Sequence, residues 1–92
     1  MANNLFISYD LHEAPRERYE AVQAAIAQLG TAVYLEFSLF YVKAKYTMEE
    51  CRNHVSKQLL AKDKLLVIEA SNAMGTHIES VAWQRVQQLW NA

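Results

Sequence analysis

Asp10 carries the most chemical information in the chain. It closes the apolar run Leu5-Phe6-Ile7-Ser8-Tyr9-Asp10, and a helical pattern starts within a few residues. A strand that leaves a core and releases one carboxylate at its exit holds that acid at a rigid edge. Ser8 lies two residues earlier, on the same face of such a strand. Ser38 opens a strand expected beside it. His12 follows Asp10 by two and could donate or accept a proton. The chemistry these residues could do is metal-assisted phosphodiester cleavage. Asp10 would hold the metal, and Ser8 or Ser38 would orient a phosphate or a water. One carboxylate makes a poor Mg²⁺ site, because the ion takes one or two carboxylates plus substrate phosphates. A symmetric dimer would supply a second Asp10 at its axis. The competing reading is structural: Asp10 bonds nearby amides at a strand end, and the serines bond backbone.

The remaining reactive side chains form no second centre. Cys51 falls on the apolar stripe of a helix and reads as a buried, inert thiol. His54 and His77 lack the i, i+4 partner of a helical metal site. No glycine-rich phosphate loop and no zinc set is present. Lys43, Lys45 and Arg52, with Lys57, Lys62 and Lys64, would form a basic patch if their elements face one way. Tyr41 and Tyr46 are interleaved with the first two, and charge with stacking is how single strands are bound. A solvated rim around the core is the other reading.

The elements that position these residues follow from periodicity. Residues 4–10 are short, apolar and partly β-branched or aromatic, which predicts a strand. Pro15 suits a helix start, Tyr19, Val22, Ile26 and Leu29 recur at helical spacing, and Gly30 stands where a C-terminal cap belongs. Residues 32–37 and 38–44 read as two strands joined near Phe37-Ser38. Thr47-Met48-Glu49-Glu50 has capping-box spacing and opens a second helix over 47–61. Lys64 to Glu69 is a continuous apolar run bounded by charge, the pattern of a central buried strand. Thr76 to Glu79 repeats the capping-box spacing ahead of a helix over 77–90, which carries Trp83 and Trp90. The order predicts an α+β domain: a ferredoxin-like βαββαβ unit, a four-stranded antiparallel sheet with two helices on one face. Residues 76–92 form a C-terminal helical extension. Leu5, Ile7, Val22, Ile26, Leu29, Val55, Leu59, Leu66 and Ile68 are the expected core.

Composition sets further bounds. Ninety-two residues, 52% of them apolar, make one domain that needs no disulfide framework, and the single cysteine fits a cytoplasmic protein. The formal net charge of −1 argues against broad electrostatic capture of nucleic acid. No apolar run approaches the roughly 20 residues of a membrane span.

Tyr9-Asp10 closing the first strand and Ser38-Leu39-Phe40 opening the third resemble the small CRISPR-associated subunit that works beside the integrase in spacer acquisition. The virulence-associated protein D ribonucleases have a similar plan. Ser38-Leu39-Phe40-Tyr41-Val42, the Thr47-led helix with Arg52, and Leu66-Val67-Ile68-Glu69-Ala70-Ser71-Asn72 resemble small bacterial and phage proteins of SinR type more closely. The resemblance spans about residues 4–72. It implies that Asp10 is a metal ligand, paired across a two-fold dimer. The chain departs from the CRISPR pattern in lacking a basic surface and in ending on a helix, where that family usually exchanges a strand.

Two functions from different classes are therefore expected. One is a nuclease-like or nucleic-acid-binding homodimer, acting on RNA or DNA with Mg²⁺, with Asp10, Ser8 and Ser38 catalytic and Lys43, Lys45, Arg52 and Tyr41 on the nucleic acid. The other is a non-catalytic interaction module of phage or mobile-element origin, binding a protein partner through the sheet face and terminal helix. Phe40, Trp83 and Trp90 are the expected interface anchors. The homodimer is expected because two helices cover one face of a four-stranded sheet and leave aromatic residues on the other. Coverage by the terminal helix of the same chain is the rival.

Overall fold

The computed structural model describes residues 3–92. Seven elements follow in the order strand, helix, strand, strand, helix, strand, helix: β1 (Asn3–Asp10), α1 (Arg16–Ala27), β2 (Gly30–Glu36), β3 (Leu39–Ala44), α2 (Met48–Ser56), β4 (Lys64–Glu69) and α3 (Ser80–Trp90). The strands make one sheet in the order β2-β3-β1-β4, and every neighbouring pair is antiparallel. The α+β class and the four-stranded antiparallel sheet read from the sequence are thus present.

Strand alternation sorts side chains between the two faces. Leu5, Ile7 and Tyr9 of β1 and Val42 and Ala44 of β3 turn to the side of α1 and α2. There they pack with Leu11, Val22, Ala25, Ile26, Leu29, Cys51 and Val55 in one buried cluster. The opposite face carries a smaller cluster, Leu35, Tyr41 and Val86, with Phe6, Val33, Leu39, Ile78, Ala82, Trp83, Leu89 and Trp90 packed around it. Helix α3 supplies the second half of that cluster. The rival to an uncovered face is therefore what the chain adopts over β2 and β3. Phe6 and Tyr41 lie under α3, while Phe40 faces the α1 side and meets Tyr34 and Tyr9 at ring-centroid distances of 5.3 and 6.3 Å.

Two expected core residues are corrected. Leu66 is 57% exposed and Ile68 48% exposed. The reason is topological: β4 is an edge strand and not a central one, and α3 rests on β2 and β3. Leu59 is half-buried, and the other six are buried.

Local signals decide the element ends. Thr47 and Glu50 form the capping box, with Thr47 Oγ1 accepting from Glu50 N–H and Glu50 Oε1 accepting from Thr47 N–H. Helix α2 stops at Ser56, short of 61, and two turns lead to β4. The second box does not form. Helix α3 starts at Ser80, and Glu79 is its own N-cap, accepting from Val81 and Ala82 N–H at 3.1 and 2.8 Å. His77 takes a positive φ of 59°, so the chain is not yet helical there. The β2–β3 reversal falls at Phe37-Ser38 as expected, with Phe37 at φ 49°. Gly30 begins β2 in place of capping α1, which ends on Gln28. A Cβ there would collide with the Lys43 carbonyl oxygen, so the close approach of β2 to β3 requires glycine.

Candidate functional site

The expected catalytic residues gather at one end of the sheet. Ser8 and Asp10 project from the same face of β1, and both are exposed. Ser38 sits in the β2–β3 turn, where its carbonyl accepts from Tyr9 N–H at 3.3 Å. In the strand register Asp10 stands opposite Lys64, and Ser8 stands between Leu39 and Leu66. The expected donor set within one chain is therefore one carboxylate and two hydroxyls, with Lys64 opposite the carboxylate in the register. That set does not fit Mg²⁺, which needs further anionic oxygens. Among the described residues no three His, Cys, Asp or Glu side chains come together as a metal site.

Of the expected nucleic-acid residues, Tyr41 and Lys43 meet under α3 and not on an open surface. Tyr41 is fully buried, so its ring meets protein: it stacks on Trp90 at 5.7 Å and meets Phe6 edge-on at 5.7 Å. Burial also raises the pKa of its hydroxyl. That hydroxyl donates to Asn4 Oδ1. Lys43 is half-buried beside it and donates to Trp90 O at 2.8 Å, where Asn4 Nδ2 also donates at 3.0 Å. Two donors thus cap the last-turn carbonyl of α3, the end where cationic groups are favoured. Tyr41 and Lys43 hold α3 onto the sheet. Lys45 is exposed past the end of β3, and Arg52 is exposed on α2. The anchors Trp83 and Trp90 are half-buried against α3's own sheet contact, and Phe40 against α1.

Sequence reasoning missed a polar clamp around Asp63. Its carboxylate accepts from His12 N–H at 2.8 Å, from Leu60 N–H at 2.7 Å, and from Arg18 Nη2. Arg18 also donates to Gln58 O at 3.0 Å. The Asp63 side chain is 1% exposed. The Arg18 hydrogen bond, then the two backbone donors, hold its pKa well below the usual carboxylate range. The clamp ties the loop after β1 and the start of α1 to the turn before β4. No local pattern announces it, since Arg18 and Asp63 are 45 residues apart.

A cleft of about 420 Å³ opens between the end of α1 and α2 and is lined by Tyr46, Glu50 and His54 among others. Tyr46 and Lys57 of the expected basic patch line it; Asp10, Ser8 and Ser38 do not. A second groove, about 300 Å³, runs along the free edge of β4 between Met48, Glu49 and Arg52 of α2 and Leu65, Leu66 and Val67. Leu66, which lines it, and Ile68, two residues on, are exposed on the α3 face. Among the described residues no helix is long and apolar enough to cross a membrane. Comparison with protein-family models, with curated proteins and with solved structures finds no match to the chain.

Proposed function

We propose that this chain is a ferredoxin-like, non-catalytic interaction module whose working surface is the β4 edge with the adjoining open half of the sheet. The ferredoxin-like reading is supported by the βαββαβ order, the sheet order β2-β3-β1-β4, and α1 and α2 packed on one face. The observation that carries the functional reading is the β4 edge strand itself. It presents Leu66 and Ile68 to solvent and ends its sheet without a bulge in its pairing to β1. Natural sheets blunt their edges with bulges, prolines, charges or a covering element, because an apolar edge recruits another strand. The opposite edge, β2, has an irregularity between Tyr34 and Glu36 and is covered on one face by α3. Tyr34 is exposed on β2 as well, but β4 is the edge that carries two exposed aliphatic side chains in an unbroken register, Leu66 and Ile68.

The expected nuclease set has less support. Asp10 faces Lys64 across the strands, and Tyr41 and Lys43 serve α3. Labelled single-stranded RNA and duplex DNA, incubated with the protein in Mg²⁺ or in EDTA, test the reading. No metal-dependent cleavage is expected, and Asp10→Asn should behave as wild type. Cleavage that needs Mg²⁺ and vanishes in Asp10→Asn would overturn the interaction module in favour of a nuclease.

A further inference from the structure

The interaction reading leaves the partner open, and the inference rests on that reading. Backbone bonds decide which way each β4 amide points. Ala70 N–H donates to Asn4 O at 3.0 Å, and Tyr9 N–H donates to Ser38 O at 3.3 Å. In an antiparallel ladder, residues alternate between bonding one neighbour and the other. Even-numbered β1 residues therefore bond β4, and odd-numbered ones bond β3. With Phe6 opposite Ile68 and Asp10 opposite Lys64, the backbone groups of Lys64, Leu66 and Ile68 turn inward to β1. Those of Leu65, Val67 and Glu69 turn outward along the free edge.

We propose that this edge pairs with the same edge of a second copy, antiparallel, about a two-fold axis through Val67. An axis normal to the sheet keeps each face of one copy level with the same face of the other. Val67 then meets the partner's Val67, Leu65 meets the partner's Glu69, and Leu66 meets the partner's Ile68. Every outward N–H and carbonyl falls in a hydrogen-bonded pair. The exposed side chains of Leu66 and Ile68 join into one apolar strip across the seam, as cross-strand pairs do. Sliding the pairing by one step sets Lys64 against the partner's Ile68 and leaves the Glu69 amide unpaired, so the register centred on Val67 is preferred.

Charge selects a second copy over an arbitrary strand. Glu49 and Arg52 are both exposed and both line the groove beside Leu65 and Val67. Three residues apart on α2, they share one face. Helix α2 packs against β4. The two-fold sets the two α2 helices antiparallel on the same side of the joined sheet. Glu49 then approaches the partner's Arg52, and Arg52 the partner's Glu49. An acidic or a basic peptide would satisfy one member of that pair and repel the other. The geometry also separates the two copies of Asp10. They lie on β1 strands three strand spacings apart, about 14 Å across the sheet, and are offset by six residues, about 20 Å, along it, too far to share one ion.

Sedimentation of the full chain from micromolar to millimolar concentration tests this. A monomer–dimer equilibrium that stops at two is expected. Glu49→Arg and Arg52→Glu should each weaken the dimer about ten-fold, because each turns two attractive contacts repulsive. The double variant, E49R with R52E, recreates both contacts and should return the dimer to about wild-type strength. Val67→Pro deletes the central donor of each copy and should leave a folded monomer, with circular dichroism reporting the fold. A wild-type monomer throughout, growth beyond two, or a dimer unmoved by both single reversals would overturn the proposal. A monomer that also lacks metal-dependent cleavage would remove the self-pairing alone. Metal-dependent cleavage lost in Asp10→Asn would remove the interaction reading beneath it.

Discussion

The two faces of this sheet are closed by different means. On one, α1 and α2 bury Leu5, Ile7, Val22, Ile26, Leu29, Val42, Cys51 and Val55 in a single apolar cluster. On the other, Val86 of α3 packs on Leu35 and Tyr41 of the strands among half-buried aromatics, with a polar lock in which Asn4, Tyr41 and Lys43 meet each other and the Trp90 carbonyl. The first face is held by area removed from water, which is strong and indifferent to direction. The second adds hydrogen bonds, which are weaker in net energy and specific in geometry. The lock sets where α3 lies on the sheet. It thereby leaves the β4 side of that face uncovered.

The sharpest way to break the comparison is to make the same kind of truncation on each face. Ile7 is fully buried at the centre of the α1–α2 side. Ile7→Ala should lose about 2–5 kcal/mol of stability, the transfer energy plus the cavity. Chemical denaturation with two-state fitting reads the loss. A loss below about 1 kcal/mol would mean that this face relaxes and is not the rigid one.

The next effect separates lock from area. Asn4 accepts from the Tyr41 hydroxyl and donates to the Trp90 carbonyl at 3.0 Å. Asn4→Ala leaves a fully buried tyrosine without its acceptor, and the last turn of α3 keeps only Lys43. The expected destabilisation is about 1–3 kcal/mol. Its signature is local: amides of α3 should exchange hydrogen faster, while those of α1 and α2 should not. Uniform acceleration over all three helices would show that the two faces unfold as one.

How far the sequence discloses this arrangement depends on the range of the interaction. The Thr47–Glu50 box is local and legible, and so is the alternation that puts Leu5 and Ile7 on one face and Ser8 and Asp10 on the other. The Lys64–Glu69 run is legible as a strand. Its place at the edge is not, because a continuous apolar run looks alike in a central strand and in an edge meant for a partner. Thr76–Glu79 has the spacing of a box, yet Glu79 caps α3 itself. A three-residue spacing cannot say which member stands outside the helix. Burial of Tyr41 and the use of Lys43 depend on where α3 docks, and Asp63 depends on Arg18, 45 residues away. The end of the sheet that holds Asp10, Ser8 and Ser38 could be read from strand parity. The Lys64 opposite Asp10 could not, since it requires the β1–β4 register.

Asp63 sharpens the account of the closed face, where its clamp joins the loop after β1 to the turn before β4. Its folded pKa lies below the ordinary value, first through the Arg18 hydrogen bond. The unfolded chain therefore binds the proton more readily. The clamp's contribution is fully present above the unfolded pKa of about 3.9 and is lost as pH falls below it, through the folded pKa. Wild type should lose stability steeply on acidification below about pH 5. Asp63→Asn should be less stable at neutral pH and show a shallower acid limb. Glu50 is lowered in the same direction by its bonds with Thr47 and remains in the variant, so some slope should persist. Equal slopes in the two proteins would show that the clamp is not what acid breaks.

The smallest expected effect completes the comparison from the open side. Leu66 projects from β4 opposite Ser8 and is 57% exposed. Leu66→Ser removes an apolar side chain that the single chain scarcely uses. At concentrations where the protein is monomeric, its stability should stay within about 0.5 kcal/mol of wild type. This contrasts with Ile7, also an aliphatic residue on a strand of the same sheet, where truncation opens a cavity. In the proposed dimer Leu66 pairs with the partner's Ile68, so the same substitution should weaken self-association. Denaturation at low and at high protein concentration separates the two. In wild type the midpoint should rise with concentration, because association stabilises the folded state by mass action. In Leu66→Ser that rise should shrink, while the low-concentration midpoint stays put. A large loss of stability at low concentration would mean that Leu66 belongs to the core of the single chain, and that the open half of the face is less open than its exposure indicates.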